Sequence, residues 1–164
     1  MRTLANKRRK AGVMAVEFAL AAPVFTLLLV VVADLSMAYH RLMQLSSTLA
    51  AGAQYAFAQG QTESGSTLTT DVSAFVSAVT PITLASVTVK YNNSLSATSC
   101  YCVNGSPPTY SSAMTCGATC TDGSGSTAGK FVSIAGSFNY TAVFPGDQVF
   151  FSNPYTQTVT VRLQ

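Results

Sequence analysis

A chain of 164 residues has room for one modest domain and an anchor, and its charged residues, only 9% of the total, are unevenly placed. Five of the nine Lys/Arg residues (Arg2, Lys7, Arg8, Arg9, Lys10) fall in the first ten positions; past Gly12, four Lys/Arg (Arg41, Lys90, Lys130, Arg162) stand against six Asp/Glu, a formal charge of −2. The net +3 is thus a property of the N-terminus, which argues against nucleic-acid binding by the folded part, and the Ser/Thr/Ala/Gly-rich remainder implies a neutral, hydroxyl-covered surface.

The basic run Lys7–Lys10 stops abruptly, Gly12 follows, and an apolar segment begins that contains one carboxylate, Glu17. Phe18 to Ala33 are sixteen residues without a charge, and Val13 to Ala33 are twenty-one. As a helix the longer stretch spans about 31 Å, matching a hydrocarbon core of about 30 Å. With cations on its N-terminal side, one crossing places the N-terminus in the cytoplasm and the rest outside. Pro23 cannot donate to the carbonyl of Ala19, so a bend or opened turn is expected there, with Thr26 near enough to cover the freed carbonyl. A secretory signal peptide cleaved after Ala33 or Ala38 is the competing reading. The apolar run exceeds the usual h-region of about 7 to 15 residues, and a discarded peptide has no use for Glu17.

An acid inside a membrane helix is costly, about 2.5–3.5 kcal/mol for Asp at the bilayer centre on insertion scales. Cleavage between Gly12 and Val13 would create an α-ammonium one helical turn from Glu17. That amine could pair with the carboxylate within one chain, or between staggered chains, where it would also set a packing register.

Helical spacing continues past the apolar run through Leu35, Ala38, Leu42, Leu45, Leu49, Ala53 and Ala56, with Gly60 as the stop. The helix from Val13 to Gln59 would be about 70 Å long. Asp34 is expected at the outer membrane boundary. His40, the chain's one histidine, has no cysteine or second histidine beside it, which argues against metal binding or acid–base work.

The stretch "KAGVMAVEFALAAPVF" resembles a prepilin processing site: glycine, four residues, glutamate, then an apolar helix. Extended to residue 59, the sequence resembles the N-terminal helix of TadE-like minor pilins (pseudopilins) of tight-adherence, or Flp, type IV pilus systems. "AVEFAL" followed by "AP" opens the anchor, and an Asp, here Asp34, follows it; Gln54, Tyr55 and Ala56 stand where that family often has an arginine. The resemblance implies a leader, residues 1–12, removed by a prepilin peptidase. It implies a structural role beside other pilin subunits and an assembly platform at the bacterial inner membrane, with the C-terminal part periplasmic or on a surface pilus. Adhesion and surface colonisation would follow. Two further readings share the anchor: a membrane-tethered periplasmic binding domain, and a secretion-system pseudopilin.

Residues 60–67, "GQTESGST", read as a polar linker, and Leu68, Val72, Phe75, Val76 and Val79 as a short helix capped at Thr69 or Thr70 and ended by Pro81. Alternation then takes over. Ala85, Val87, Val89 and Tyr91 share one face; Val132, Ile134, Gly136, Phe138, Tyr140, Ala142 and Phe144 form a second such series, and Val159, Val161 and Leu163 a third. So small a sheet is marginal alone. Laid on the outer half of the long helix it buries both apolar stripes, which predicts an α+β, pilin-like domain over residues 60–164, beyond a transmembrane segment at 13–33 and its helical continuation at 34–59.

Cys100, Cys102, Cys116 and Cys120 all lie within 21 residues. Beyond a membrane segment, such a cluster reads as a disulfide framework, and C-x-C fits zinc poorly. A bridge between Cys100 and Cys102 would be strained, so each should cross to Cys116 or Cys120, closing loops of about fifteen residues worth about 3 kcal/mol apiece. The nested arrangement, Cys100 with Cys120, is the one favoured, stapling a loop otherwise without regular structure. No phosphate-cradling glycine loop or nucleophile motif is present, and the outer carboxylates Glu63, Asp71, Asp122 and Asp147 are scattered. No enzymatic activity, cofactor, metal or small-molecule substrate is expected.

Overall fold

The computed structural model describes residues 2–63, 65–105, 108–121, 126–143 and 153–163, with side chains from residue 14 onward. Helix α1 (Arg2–Gln59) is followed by α2 (Gly65–Val79), strand β1 (Ser86–Tyr91), a short turn at Asn92–Ser94, β2 (Val103–Asn104), β3 (Thr109–Tyr110), β4 (Phe131–Phe138) and β5 (Tyr155–Arg162). The chain forms two compact units: Met1–His40 with Thr141–Ser152, and Arg41–Tyr140 with Asn153–Gln164.

In the second unit, an antiparallel sheet runs in the order β1-β4-β5. Its register sets Val89 beside Ile134 and Ile134 beside Val159, so the alternating apolar residues share one face. On β4, Val132, Ile134, Gly136 and Phe138 are all buried, and the opposite face carries Phe131, Ser133, Ala135 and Ser137. The apolar face lies on α1: a Cβ at Gly136 would sit 3.0 Å from Leu45 Cδ1 and 3.1 Å from Leu49 Cδ2. Leu45 and Leu49 are fully buried, as are Leu68, Val72 and Val76 of α2. This is the small α+β, pilin-like head that the hydrophobic patterning predicts.

Small residues let the two helices approach. A Cβ at Gly52 would fall 2.5 Å from Val76 Cγ2, and one turn on, Tyr55 stacks on Phe75 with ring centroids 4.5 Å apart. Alanine at position 52 improves helix propensity by about 1 kcal/mol, but the β-branched Val76 is stiff and cannot swing aside. Gly52→Ala is therefore expected to cost about 1–2 kcal/mol net, with Val76→Ala restoring part of the loss in the double mutant, measured by chemical unfolding.

Several boundaries differ from the sequence expectation. Helix α2 begins at Gly65, three residues before Leu68, so Thr69 and Thr70 are not caps; their hydroxyls donate back to the Ser66 carbonyl at 2.9 Å. Gly60 does end α1, its N–H bonding the Ala56 carbonyl at 2.8 Å, but not through a left-handed conformation. A Cβ there would meet Leu163 Cδ2 and the Ala56 oxygen, both at 2.7 Å, so close approach is what requires glycine. The second alternating series stops pairing at Phe138, because the Asn153 side chain takes over the backbone of Tyr140: Tyr140 N–H donates to Asn153 Oδ1 and Asn153 Nδ2 donates to the Tyr140 carbonyl, both at 2.8 Å. Phe144, at the end of that series, lies outside the described residues, as do Asp122 and Asp147.

Candidate functional site: the apolar helix and the stapled module

Helix α1 continues through Pro23, and Thr26 donates to the Ala22 carbonyl at 2.8 Å. The expectation that Thr26 would cover the carbonyl freed by Pro23 is corrected: a threonine reaches back four residues, to Ala22, and the carbonyl opposite Pro23 belongs to Ala19. Gly12 and Val13 lie on α1 in uninterrupted helix, with their side chains outside the described set. Glu17 is exposed amid exposed Met14, Val16, Phe18 and Leu20. So much apolar surface around one carboxylate needs lipid or neighbouring helices to cover it, and α1 is long and apolar enough to cross a membrane.

Asp34 is 1% exposed, and its Oδ1 accepts the Val143 N–H at 3.1 Å. Leu35, assigned by the sequence to the buried stripe, is 60% exposed instead. Ala38 and Ala142 are buried in the same unit, so a buried carboxylate ties the segment after Tyr140 to the helix. Further along, in the second unit, the Arg41 guanidinium stands 5.5 Å over the Tyr140 ring. His40 is exposed on the helix, and sequence reasoning missed both the Asp34 and Arg41 contacts because their partners lie a hundred residues away.

The cysteines form two bridges, Cys100–Cys116 and Cys102–Cys120. The pairing is interleaved, so the nested preference is overturned. The cause is a hairpin the sequence reading did not foresee: β2 and β3 pair Val103 with Tyr110, and the ladder continues to a bridge between Cys100 and Met114. Cys116 lies two residues beyond Met114, close enough to bridge to Cys100. A turn closed by Ala118 N–H on the Thr115 carbonyl then brings the chain back, and Thr119 pairs with Thr127, leaving Cys120 beside Cys102.

Cys100, Cys102, Cys120 and Ala128 form a second small core with Met114 against it, while Cys116 is exposed. The module meets the sheet through aromatic edges, Tyr110 on Phe131 at 6.1 Å and on Tyr101 at 6.3 Å. The Tyr110 hydroxyl is buried without a partner, and burial pushes its phenol above the ordinary tyrosine range. At the other edge of the module, Asn92 is fully buried and saturated: Nδ2 donates to the Ser96 carbonyl at 2.9 Å and the Ser99 carbonyl at 3.0 Å, while Oδ1 accepts the Phe131 N–H at 2.9 Å.

Fold and helix together define, among the described residues, one membrane-capable N-terminal helix and a small, disulfide-stapled α+β head of pilin-like design. Residues 12–54 match the family model described as TadE-like protein, from the glycine of the expected processing site through the apolar segment and into the part of α1 that holds the sheet. No curated protein and no solved structure matches the chain.

Proposed function

We propose that the chain is a minor pilin (pseudopilin) of the tight-adherence type. In this reading it is inserted once in the bacterial inner membrane with its head in the periplasm, cut after Gly12 by a prepilin peptidase, and used to prime or assemble a type IV pilus with other pilin subunits and the assembly platform. Adhesion to surfaces is the resulting activity. The observation that carries the reading is Glu17: one exposed carboxylate on an otherwise apolar helical surface, five positions past the glycine at which the TadE-like match begins. Freed by cleavage, the Val13 ammonium supplies the counter-charge that makes the acid tolerable in lipid and gives neighbouring helices a common register. Residues 34–59 continue the anchor into the head, and Asp34 lies where the helix leaves the bilayer.

Glu17→Ala separates processing from assembly. Cleavage is expected to proceed at close to the parental rate, while surface pili, counted by electron microscopy, fall at least tenfold. Normal piliation in that strain would exclude the pairing role.

A further inference from the structure

Along its outer edge, β1 borders a trench whose opposite wall is α2. Three adjoining cavities of about 660, 560 and 310 Å³ run from residue 80 to residue 97 and share Ser73, Ser77 and Val87, then Thr69 and Val89, at their junctions. Strand β1 pairs only with β4, and an antiparallel strand turns alternate N–H and C=O groups away from its partner. Among the described residues no other strand pairs with that edge. On the facing wall the hydroxyls of Thr69, Thr70 and Ser77 donate to carbonyls of their own helix, which leaves their oxygens as acceptors. The trench therefore offers backbone donors and acceptors at β-strand spacing on one side and hydrogen-bond acceptors on the other. An extended polypeptide satisfies both.

We propose that this trench takes a strand of a partner protein by β-augmentation, adding a fourth strand to the sheet. The six residues of β1 fix the length at about 20 Å. Small and hydroxyl-bearing walls call for an uncharged segment, while Lys90, exposed at the far end of the trench, calls for an acidic residue there; in antiparallel pairing that residue is the segment's first. The lysine also deters indiscriminate edge pairing at that end. A second copy of this chain supplies no such match: its other edge strand, β5, carries Arg162 and no acid. This inference stands on the head alone and is independent of how the N-terminus is processed.

The test uses the full chain in detergent micelles and fluorescence anisotropy with a labelled, acetylated hexapeptide, Asp-Thr-Val-Thr-Val-Thr. Saturable binding is expected, weakened at least tenfold when alternate peptide nitrogens on the pairing edge are methylated, and several-fold when Lys replaces the Asp. Lys90→Glu should reverse the preference between the two peptides, and Ser73→Trp, which fills the trench, should abolish binding of both. Absence of saturable binding, equal binding of the methylated peptide, or an unchanged preference in Lys90→Glu would overturn the proposal. Concentration-dependent dimerisation of the chain that is lost in Ser73→Trp would assign the trench to a second copy and overturn it equally.

Discussion

Asn92→Leu is expected to destabilise the head by about 3–5 kcal/mol, the largest effect of any single substitution outside the apolar core. The amide closes three hydrogen bonds, joining the turn after β1 to the start of β4 and to the entry of the cysteine module. Without it the Phe131 N–H and two carbonyls lose their partners in a fully buried place, at about 1–3 kcal/mol for each group left unsatisfied. The backbone adds to the cost. Asn92, Asn93 and Ser94 have φ of 48°, 53° and 65°, and a left-handed conformation costs an ordinary L-residue about 1–2 kcal/mol more than it costs Asn or Gly. The control is next door: Asn93 is exposed with the same backbone, so Asn93→Gly should be neutral or stabilising by a few tenths of a kcal/mol. Chemical unfolding of both variants in detergent, read by near-ultraviolet circular dichroism, checks the contrast.

Removing the Cys102–Cys120 bridge as the double alanine variant comes second. Its separation of 18 residues corresponds to about 3 kcal/mol in the chain-entropy account. Both sulfurs are buried in the small core with Ala128, so truncation also leaves a cavity there. The Cys100–Cys116 bridge has nearly the same separation, 16 residues, but ends at an exposed Cys116, so its double alanine variant should be the milder of the two. For a head of this size, about 3 kcal/mol lowers Tm by roughly 10–20 °C. Thermal unfolding of the two variants gives the ranking, and peptide mapping without reductant must recover the interleaved linkages.

What could be read from the sequence followed from local periodicity. The alternation of Val87, Val89 and Tyr91 and of Val132, Ile134 and Phe138 predicted the strands and their buried face, and the spacing of Leu68, Val72 and Val76 predicted the buried side of α2. Features set by distant contacts were hidden. The burial of Asp34 depends on the segment that carries Val143, 109 residues away, which local polarity does not reveal. The disulfide pairing depended on the register of a two-residue hairpin too short to leave a hydrophobic pattern. Entropy alone separates the nested and interleaved pairings poorly, since loop length enters only as a logarithm. The Asn-Asn-Ser turn did leave a signal, because asparagine is the residue that best tolerates left-handed backbone after glycine. Its three-way bonding role was visible only once Phe131 had been placed beside it.

The candidate site divides along the same line. Gly12, Val13 and Glu17 form a local motif, legible as one, and the helix through them is continuous. The account of Glu17 as a tolerated acid with a freed amine as partner is tested most directly by intact mass and N-terminal sequencing of the chain purified from membranes of a piliated cell. The account predicts a polypeptide that begins at Val13. A chain that still begins at Met1, or one that starts after Ala33 or Ala38, would contradict it.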